Sequence, residues 1–280
     1  MARDHRSRTS RARSELATTM TELRSLAESL ARGAGDLALA GRRAASSGGD
    51  LGGGTKSTRT DIVTEFDRSA EALIVSALRQ LRPDDAIVGE EGTADEGTSG
   101  YAWYIDPIDG TTNFVYDQPA WSTSVGVAHH GEMVAGAVFI APLGEMFSAS
   151  LGEGATLNGR PISVSAESEL ALALVGTGFN YRADVRRAQA QRLARMIPEV
   201  RDIRRLGSAA IDLCFVAAGR LDIYFEQHLN SWDAAAGELI AREAGAITSD
   251  FSGGRCRPEE LVASTPGVHR ELLALLDRSR

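Results

Sequence analysis

The sequence predicts layered α and β elements within one compact chain of 280 residues. Three observations predict this: a helical apolar pattern at the start, a run of short strands through the middle, and alternating strands and helices thereafter. Such a chain buries a sizeable core without disulfide staples. On a soft prior of ~150 residues per domain it makes one large domain or two intimate halves.

Arg3, Arg6, Arg8, Arg11 and Arg13 have no apolar stretch behind them, which excludes a secretory signal and reads as a disordered, solvated tail over 1–13. The remaining 14–280 is expected as one domain, with halves at 14–165 and 166–280. Over 14–45, Leu16, Met20, Leu23, Leu26, Leu30, Leu37 and Leu39 recur at helical spacing, interrupted by Gly33 and Gly35. The Ser, Gly and Asp residues of 46–55 read as a flexible loop. A second helix is expected over 64–81, capped by Thr64, with Asp67 in its first turn. Strands are expected over 86–89, 101–105, 122–128, 133–140 and 146–149, most bounded by Gly, Pro or Asp. Asn158-Gly159 marks a hairpin between 155–157 and 161–164. A strand over 172–176, helices over 183–197 and 208–218, a strand over 221–225, a helix over 232–244, a strand over 261–264 and a helix over 268–276 complete the chain. There is no internal repeat.

The 38 acidic against 30 basic residues give a net charge of −8, which excludes a general nucleic-acid binder. A phosphate substrate is not excluded, because bound metal ions reverse the local sign. Two cysteines make no disulfide framework, and Cys214, inside an apolar helical pattern, reads as a buried free thiol. No run reaches the ~18 apolar residues of a membrane span, so no membrane partner and a cytoplasmic location are expected.

The most informative segment is Tyr104-Ile105-Asp106-Pro107-Ile108-Asp109-Gly110-Thr111-Thr112-Asn113-Phe114. Two carboxylates lie three apart where a strand ends. Pro107 stiffens the connection, Gly110 permits a tight turn, and Thr111 and Thr112 open a short helix. Carboxylates hold hard cations through oxygen, and free N–H groups at a helix start receive phosphate. Glu90 and Glu91 sit at another strand end, where the alternative is a solvated turn. Asp67 serves either a helix dipole or chemistry, and Asp233 either caps its helix or binds a ligand. His5, His129, His130, His228 and His269 form no metal-spaced pair.

Ile105 to Phe114 resembles the first signature of the inositol monophosphatase family, and Ser231-Trp232-Asp233-Ala234-Ala235-Ala236-Gly237 resembles its second. Gly89-Glu90-Glu91 and the Lys56, Asp61, Asp67 spacing match further landmarks, and Ile203 to Gly219, with Gly207-Ser208-Ala209-Ala210, resembles the family's helix leading to the substrate-side strand. The resemblance runs from about Leu26 to the C-terminus. It implies an α+β fold, a layered αβαβα sandwich of the inositol monophosphatase and fructose-1,6-bisphosphatase type, commonly a homodimer.

The resemblance further implies a lithium-sensitive phosphoric monoester hydrolase that uses two or three Mg2+ ions and a metal-activated water to release phosphate from myo-inositol monophosphate. Glu90, Asp106 and the Ile108 carbonyl would hold one metal, and Asp106, Asp109 and Asp233 a second. Thr111 would orient the attacking water with Asp67 behind it as proton acceptor. Gly110 and Thr111 would bind phosphate through N–H groups, beside Asp109. Glu226 and Ala209 match positions that touch inositol hydroxyls, and Lys56 would add positive charge. One departure is Asn230, where some members carry a histidine; His228 is shifted by two. Alternatives are a phosphatase for histidinol phosphate, fructose 1,6-bisphosphate or a 3′-phosphonucleotide, with Arg182, Arg186 and Arg187 as candidates for a second phosphate. A non-catalytic binding or regulatory protein is the remote alternative, disfavoured because clustered, unpaired carboxylates repel one another.

Overall fold

Helix α1 (Ala2–Ser46) turns its apolar stripe onto a broad sheet. The computed structural model describes residues 2–46, 51–56 and 62–279, with side chains for 19–45, 51–56 and 63–279. Helix α1 begins at Ala2 rather than near Ser14, so the Arg-rich segment expected as a tail is helical backbone from there on. No glycine or proline breaks the chain before Gly33, and its Ala, Arg, Leu and Glu are strong helix formers. Gly33 and Gly35 do not interrupt the helix either. Leu23, Ala27, Leu30, Ala31, Ala34 and Ala38 form the buried face, so small residues matter as much as leucines. A Cβ on Gly35 would stand 2.7 Å from Phe139, and one on Gly41 would overlap the Phe66 ring.

Strands β1 (Gly53–Thr55) and β2 (Ile62–Thr64) pair antiparallel, so the end of the expected 46–55 loop is a strand. Residues 47–50 of that loop, and Asp61, lie outside the described residues. Helix α2 (Glu65–Leu81) follows, with Thr64 as its N-cap. Then come β3 (Ala86–Gly89), β4 (Ala94–Asp95), β5 (Tyr101–Asp109) and the short helix α3 (Thr111–Val115). Strands β6 (Ser122–His129), β7 (Glu132–Ile140), β8 (Glu145–Ser150), β9 (Gly154–Leu157) and β10 (Arg160–Pro161) complete an eight-stranded sheet, ordered β10-β9-β8-β7-β6-β5-β3-β4. Only β3 and β5 pair parallel in it. The expected hairpin is present, with Asn158 and Gly159 both at positive φ (49° and 74°), as its tight turn requires.

The second half supplies β11 (Leu174–Thr177), α4 (Ala183–Met196), β12 (Asp202–Arg204), α5 (Ala209–Ala217) and β13 (Ile223–Gln227). Helix α6 (Ser231–Glu243), β14 (Ile247–Ser249), β15 (Glu260–Ser264) and α7 (His269–Arg278) end the chain. The five-stranded sheet runs β12-β11-β13-β15-β14.

The layers follow from which faces are apolar. Helices α1 and α2 cover one face of the large sheet around Trp103, Ile105 and Phe114. Helices α5 and α6 fill the space between the sheets; Cys214 and Leu239 join the core against the large sheet, and Leu213 packs with Tyr224 of the small one. Helix α7 closes the outer face of the small sheet with Met196 at the end of α4. The order is α, β, α, β, α, the layered α+β sandwich expected. Cys214 and Cys256 are free. No helix among the described residues is long and apolar enough to cross a membrane.

Candidate active site

The site is built on an irregularity in β5. Side chains alternate along a strand, so residues three apart would face opposite ways. Here Asp106 pairs with Ser124 and Asp109 with Ser122, leaving one extra residue on β5. This bulge turns both carboxylates to the same side. It forms at Pro107-Ile108, where the proline offers no N–H to the ladder. Thr123 Oγ1 fixes it by donating to the Pro107 carbonyl at 2.8 Å.

Gly110 then takes φ 92°, and a Cβ there would lie 3.0 Å from the Ala120 carbonyl and 3.1 Å from that of Gly207. Only glycine fits the reversal into α3. Asn113 locks α3 in place, its Nδ2 donating to the carbonyls of Ala120 (2.6 Å) and Leu206 (2.8 Å). The open N-terminal end of α3 therefore sits beside the two aspartates, facing a cavity of about 460 Å3.

Other elements bring further acids to that cavity. Glu90 follows β3 and Asp233 lies in the first turn of α6. Lys56, Ile108, Gly110, Thr111, Ala209 and Glu226 also line it. Asp67 does not. It stands behind Thr111, whose hydroxyl is 3.2 Å from Asp67 Oδ1 and 3.1 Å from the Ile108 carbonyl. One proton serves only one of these acceptors at a time. Asp67 Oδ2 meanwhile accepts from Thr64 N (2.8 Å) and Thr64 Oγ1 (2.6 Å), so the expected cap is also the positioning device.

Burial, then Glu90, Asp109 and Asp233, push the Asp106 carboxyl well above the usual carboxylate range. Burial raises Asp109 to about 6, against hydrogen bonds from Ser208 Oγ and Ala210 N, both 2.7 Å. Burial and then Asp109 raise Asp233, while the Asn230 N–H caps it at 2.6 Å. Burial also raises Glu90, and Lys56, 2.8 Å away, does not outweigh it. Burial works to lower the Lys56 ammonium, but Glu90 and Glu91 more than offset it and the net shift is upward.

Among the described residues no three acidic, histidine or cysteine side chains converge tightly enough to encage an ion unaided. The local bonds give the reason: Asp109 leans on Ser208, Asp233 on Asn230 and Glu90 on Lys56. Yet the residues fit a divalent cation. Asp106 Oδ1 is buried with no hydrogen-bond partner, and four carboxylates crowd one cavity with raised pKa values. An all-oxygen donor set of this kind suits a hard metal ion.

Across the cavity, Glu226 on β13 accepts from Tyr224 Oη at 2.7 Å, and burial lifts its carboxyl to about 7. A Cβ on Gly178 would collide with that carboxylate, so the glycine makes room for it. The sequence reading missed Gly178 and Arg205, which lines the cavity and holds down the Asp109 and Glu226 pKa values by its charge. The doubled Arg204-Arg205 before Gly207 was the available signal. Arg182 reaches the cavity rim, whereas Arg186 and Arg187 do not line it. Asn230 and His228 are both at the rim.

The profile of the family described as "Inositol monophosphatase family" matches residues 19–279. The chain is 46% identical over 274 residues to the inositol-1-monophosphatase SuhB of Mycobacterium tuberculosis, covering 91% of this chain and 93% of that one. It is 41% identical over 228 residues to the Nus factor SuhB of Pasteurella multocida, covering 80% and 85%. The solved structure of Mycobacterium tuberculosis SuhB superposes with a TM-score of 0.80 at 42% identity, over 93% of this chain and 97% of that one.

Proposed function

Since the chain belongs to the inositol monophosphatase family, we propose that this phosphatase hydrolyses myo-inositol monophosphate with the help of magnesium. The observation that supports this reading most is the bulge at Pro107-Ile108. It gives Asp106 and Asp109 one cavity with Glu90 and Asp233, beside the open end of α3.

In this reading Glu90, Asp106, Asp109, Asp233 and the Ile108 carbonyl hold two or three magnesium ions. Bound there, the metal supplies positive charge against the phosphoryl and leaving oxygens and makes water a better nucleophile. The protein's own groups do the rest. Gly110 and Thr111 offer the first N–H groups of α3, which have no intrahelical acceptor, to the phosphate oxygens. When the Thr111 hydroxyl donates to Asp67, its oxygen is free to accept from a water and orient it. That water's oxygen bonds to phosphorus as the ester P–O bond breaks. The proton it loses passes toward Asp67, whose raised pKa makes it a more effective base. The leaving alkoxide takes up a proton from solvent water and departs as the alcohol. Glu226, held by Tyr224, accepts hydrogen bonds from polyol hydroxyls, with Ala209 beside it. Lys56 balances Glu90 and Glu91.

The test is phosphate release from inositol 1-phosphate, histidinol phosphate, fructose 1,6-bisphosphate and a 3′-phosphonucleotide, with magnesium or with chelator. Magnesium-dependent preference for inositol 1-phosphate, inhibited by lithium, is the expected result. Preference for another substrate overturns the polyol assignment. Turnover unchanged by chelation overturns the metal assignment. A homodimer is the assembly this reading expects, and a monomeric mass in sedimentation would remove it. The Nus factor name of the Pasteurella multocida relative supports a second, non-catalytic reading, which silence across the panel in folded, magnesium-loaded protein would favour.

A further inference from the structure

A second cavity, of about 670 Å3, lies on the other side of the first turn of α6. Ser231, Ala234 and Ala235 face it, while Trp232 and Asp233 face the acidic cavity. Its walls are apolar where Tyr104, Ala128, Ala235 and Leu261 meet. Its polar edge carries Arg242, Arg255 and Arg257 against Glu132 and Glu238, a basic excess in a chain whose net charge is −8.

These guanidiniums are under-paired. Arg242 Nε is buried without a hydrogen-bond partner and meets Glu238 only at 3.5 Å. Glu238 Oε1 is already engaged by the Thr248 hydroxyl at 2.7 Å. Arg257 reaches Asp250 and Glu260 at 3.5 and 3.6 Å. The Asp250 contact is a long one to Oδ2, while Oδ1 is taken by Ser252 and Gly254. The Arg255 guanidinium makes no ion pair among the described residues. Well-formed charge-assisted bonds are shorter, at about 2.7–2.9 Å. A buried N–H without an acceptor is costly unless a ligand provides one.

We propose that this cavity is a second binding site, for a small organic anion with a flat apolar body and a carboxylate or phosphonate head. The arginine edge supplies the fork geometry that both heads share, and the apolar walls cover the body. Nothing in this assignment depends on the phosphatase reading.

Cys256 makes a local reporter, because it lines this cavity and not the acidic one. Burial pushes its thiol up to about 12, so it labels slowly, and the fully buried Cys214 serves as internal control. The full chain is treated with N-ethylmaleimide in the presence of benzoate, phenylphosphonate or benzyl alcohol, and labelling of each cysteine is followed by peptide mass spectrometry. Benzoate or phenylphosphonate at about 10 mM slows Cys256 labelling by about threefold, the occupancy of a site with a Kd near 5 mM. Benzyl alcohol leaves it unchanged. Protection by one anion alone identifies the head. Arg255→Ala, at an exposed position, abolishes the protection, as does Arg242→Met. No protection by either anion, equal protection by benzyl alcohol, or protection retained in Arg255→Ala overturns the proposal. If Arg242→Met fails to fold, Arg255→Ala decides alone.

Discussion

The hydroxyl of Thr111 lies 3.2 Å from Oδ1 of Asp67, joining the first turns of α3 and α2 across 44 positions of sequence. If this pair handles the proton of the attacking water, Thr111→Ala and Asp67→Asn each lower kcat by about 100-fold or more with little change in KM. Steady-state kinetics on inositol 1-phosphate checks this. A tenfold rise in KM at constant kcat would place the pair in binding instead.

Asp106→Asn removes a charge from the most repulsive position of the acidic cavity. The expected outcome is loss of turnover together with a gain of about 1–3 kcal/mol in the stability of chelator-treated protein. Urea titration with and without magnesium measures it, and magnesium should no longer raise the midpoint. A variant destabilised in chelator contradicts the reading.

Glu226 carries a pH signature. Its folded-state pKa, about 7, lies above the ordinary glutamate value of 4.5. The group therefore favours folding while protonated, below about pH 4.5, and that contribution is lost as pH rises through about 7. Relative to Glu226→Gln, the native chain should lose roughly 3 kcal/mol at most between those limits. Denaturant titrations at pH 5 and 8 in chelator give the difference. Equal pH dependence in both proteins refutes the assignment.

Gly178→Ala tests the same carboxylate without altering it. The new methyl group collides with Glu226 and displaces it, so KM for inositol 1-phosphate should rise by about tenfold, roughly one lost hydrogen bond to a charged group. An aryl phosphate lacking hydroxyls should be nearly unaffected. Equal losses on both substrates would mean that the backbone of the whole site moved.

Gly41→Ala separates helix propensity from packing. Alanine favours an isolated helix by about 1 kcal/mol. Here its Cβ would enter the Phe66 ring, so a net loss of about 1–3 kcal/mol is expected. A stabilised variant in urea titration would show that α1 and α2 can part without penalty.

Much of this architecture is legible from local pattern. Thr64 and Asp67 announce the start of α2, and Asn158-Gly159 announces its turn, because both act within four residues. The acidic positions Glu90, Asp106, Asp109 and Asp233 are legible through the family resemblance. Their convergence is not legible from periodicity, since a bulge moves Asp109 to the face that alternation denies it. Gly35 reads as a break because its reason, the approach of Phe139, lies about a hundred residues away. Gly178 and Arg205 were missed for the same cause: what they serve is brought near only by the fold. Strands β4, β12 and β14 have two or three residues, too few for any alternation to register.

The first turn of α6 acts as a party wall between two rooms of opposite charge. A helix is about 10–12 Å across, and two unit charges separated by that width interact by roughly 1.5 kcal/mol at an effective dielectric constant near 20. That is about a tenfold change in an equilibrium constant. A charge seated on either side is therefore felt on the other, and any mutation that thickens the wall at Ala234 or Ala235 alters how loudly the rooms hear each other.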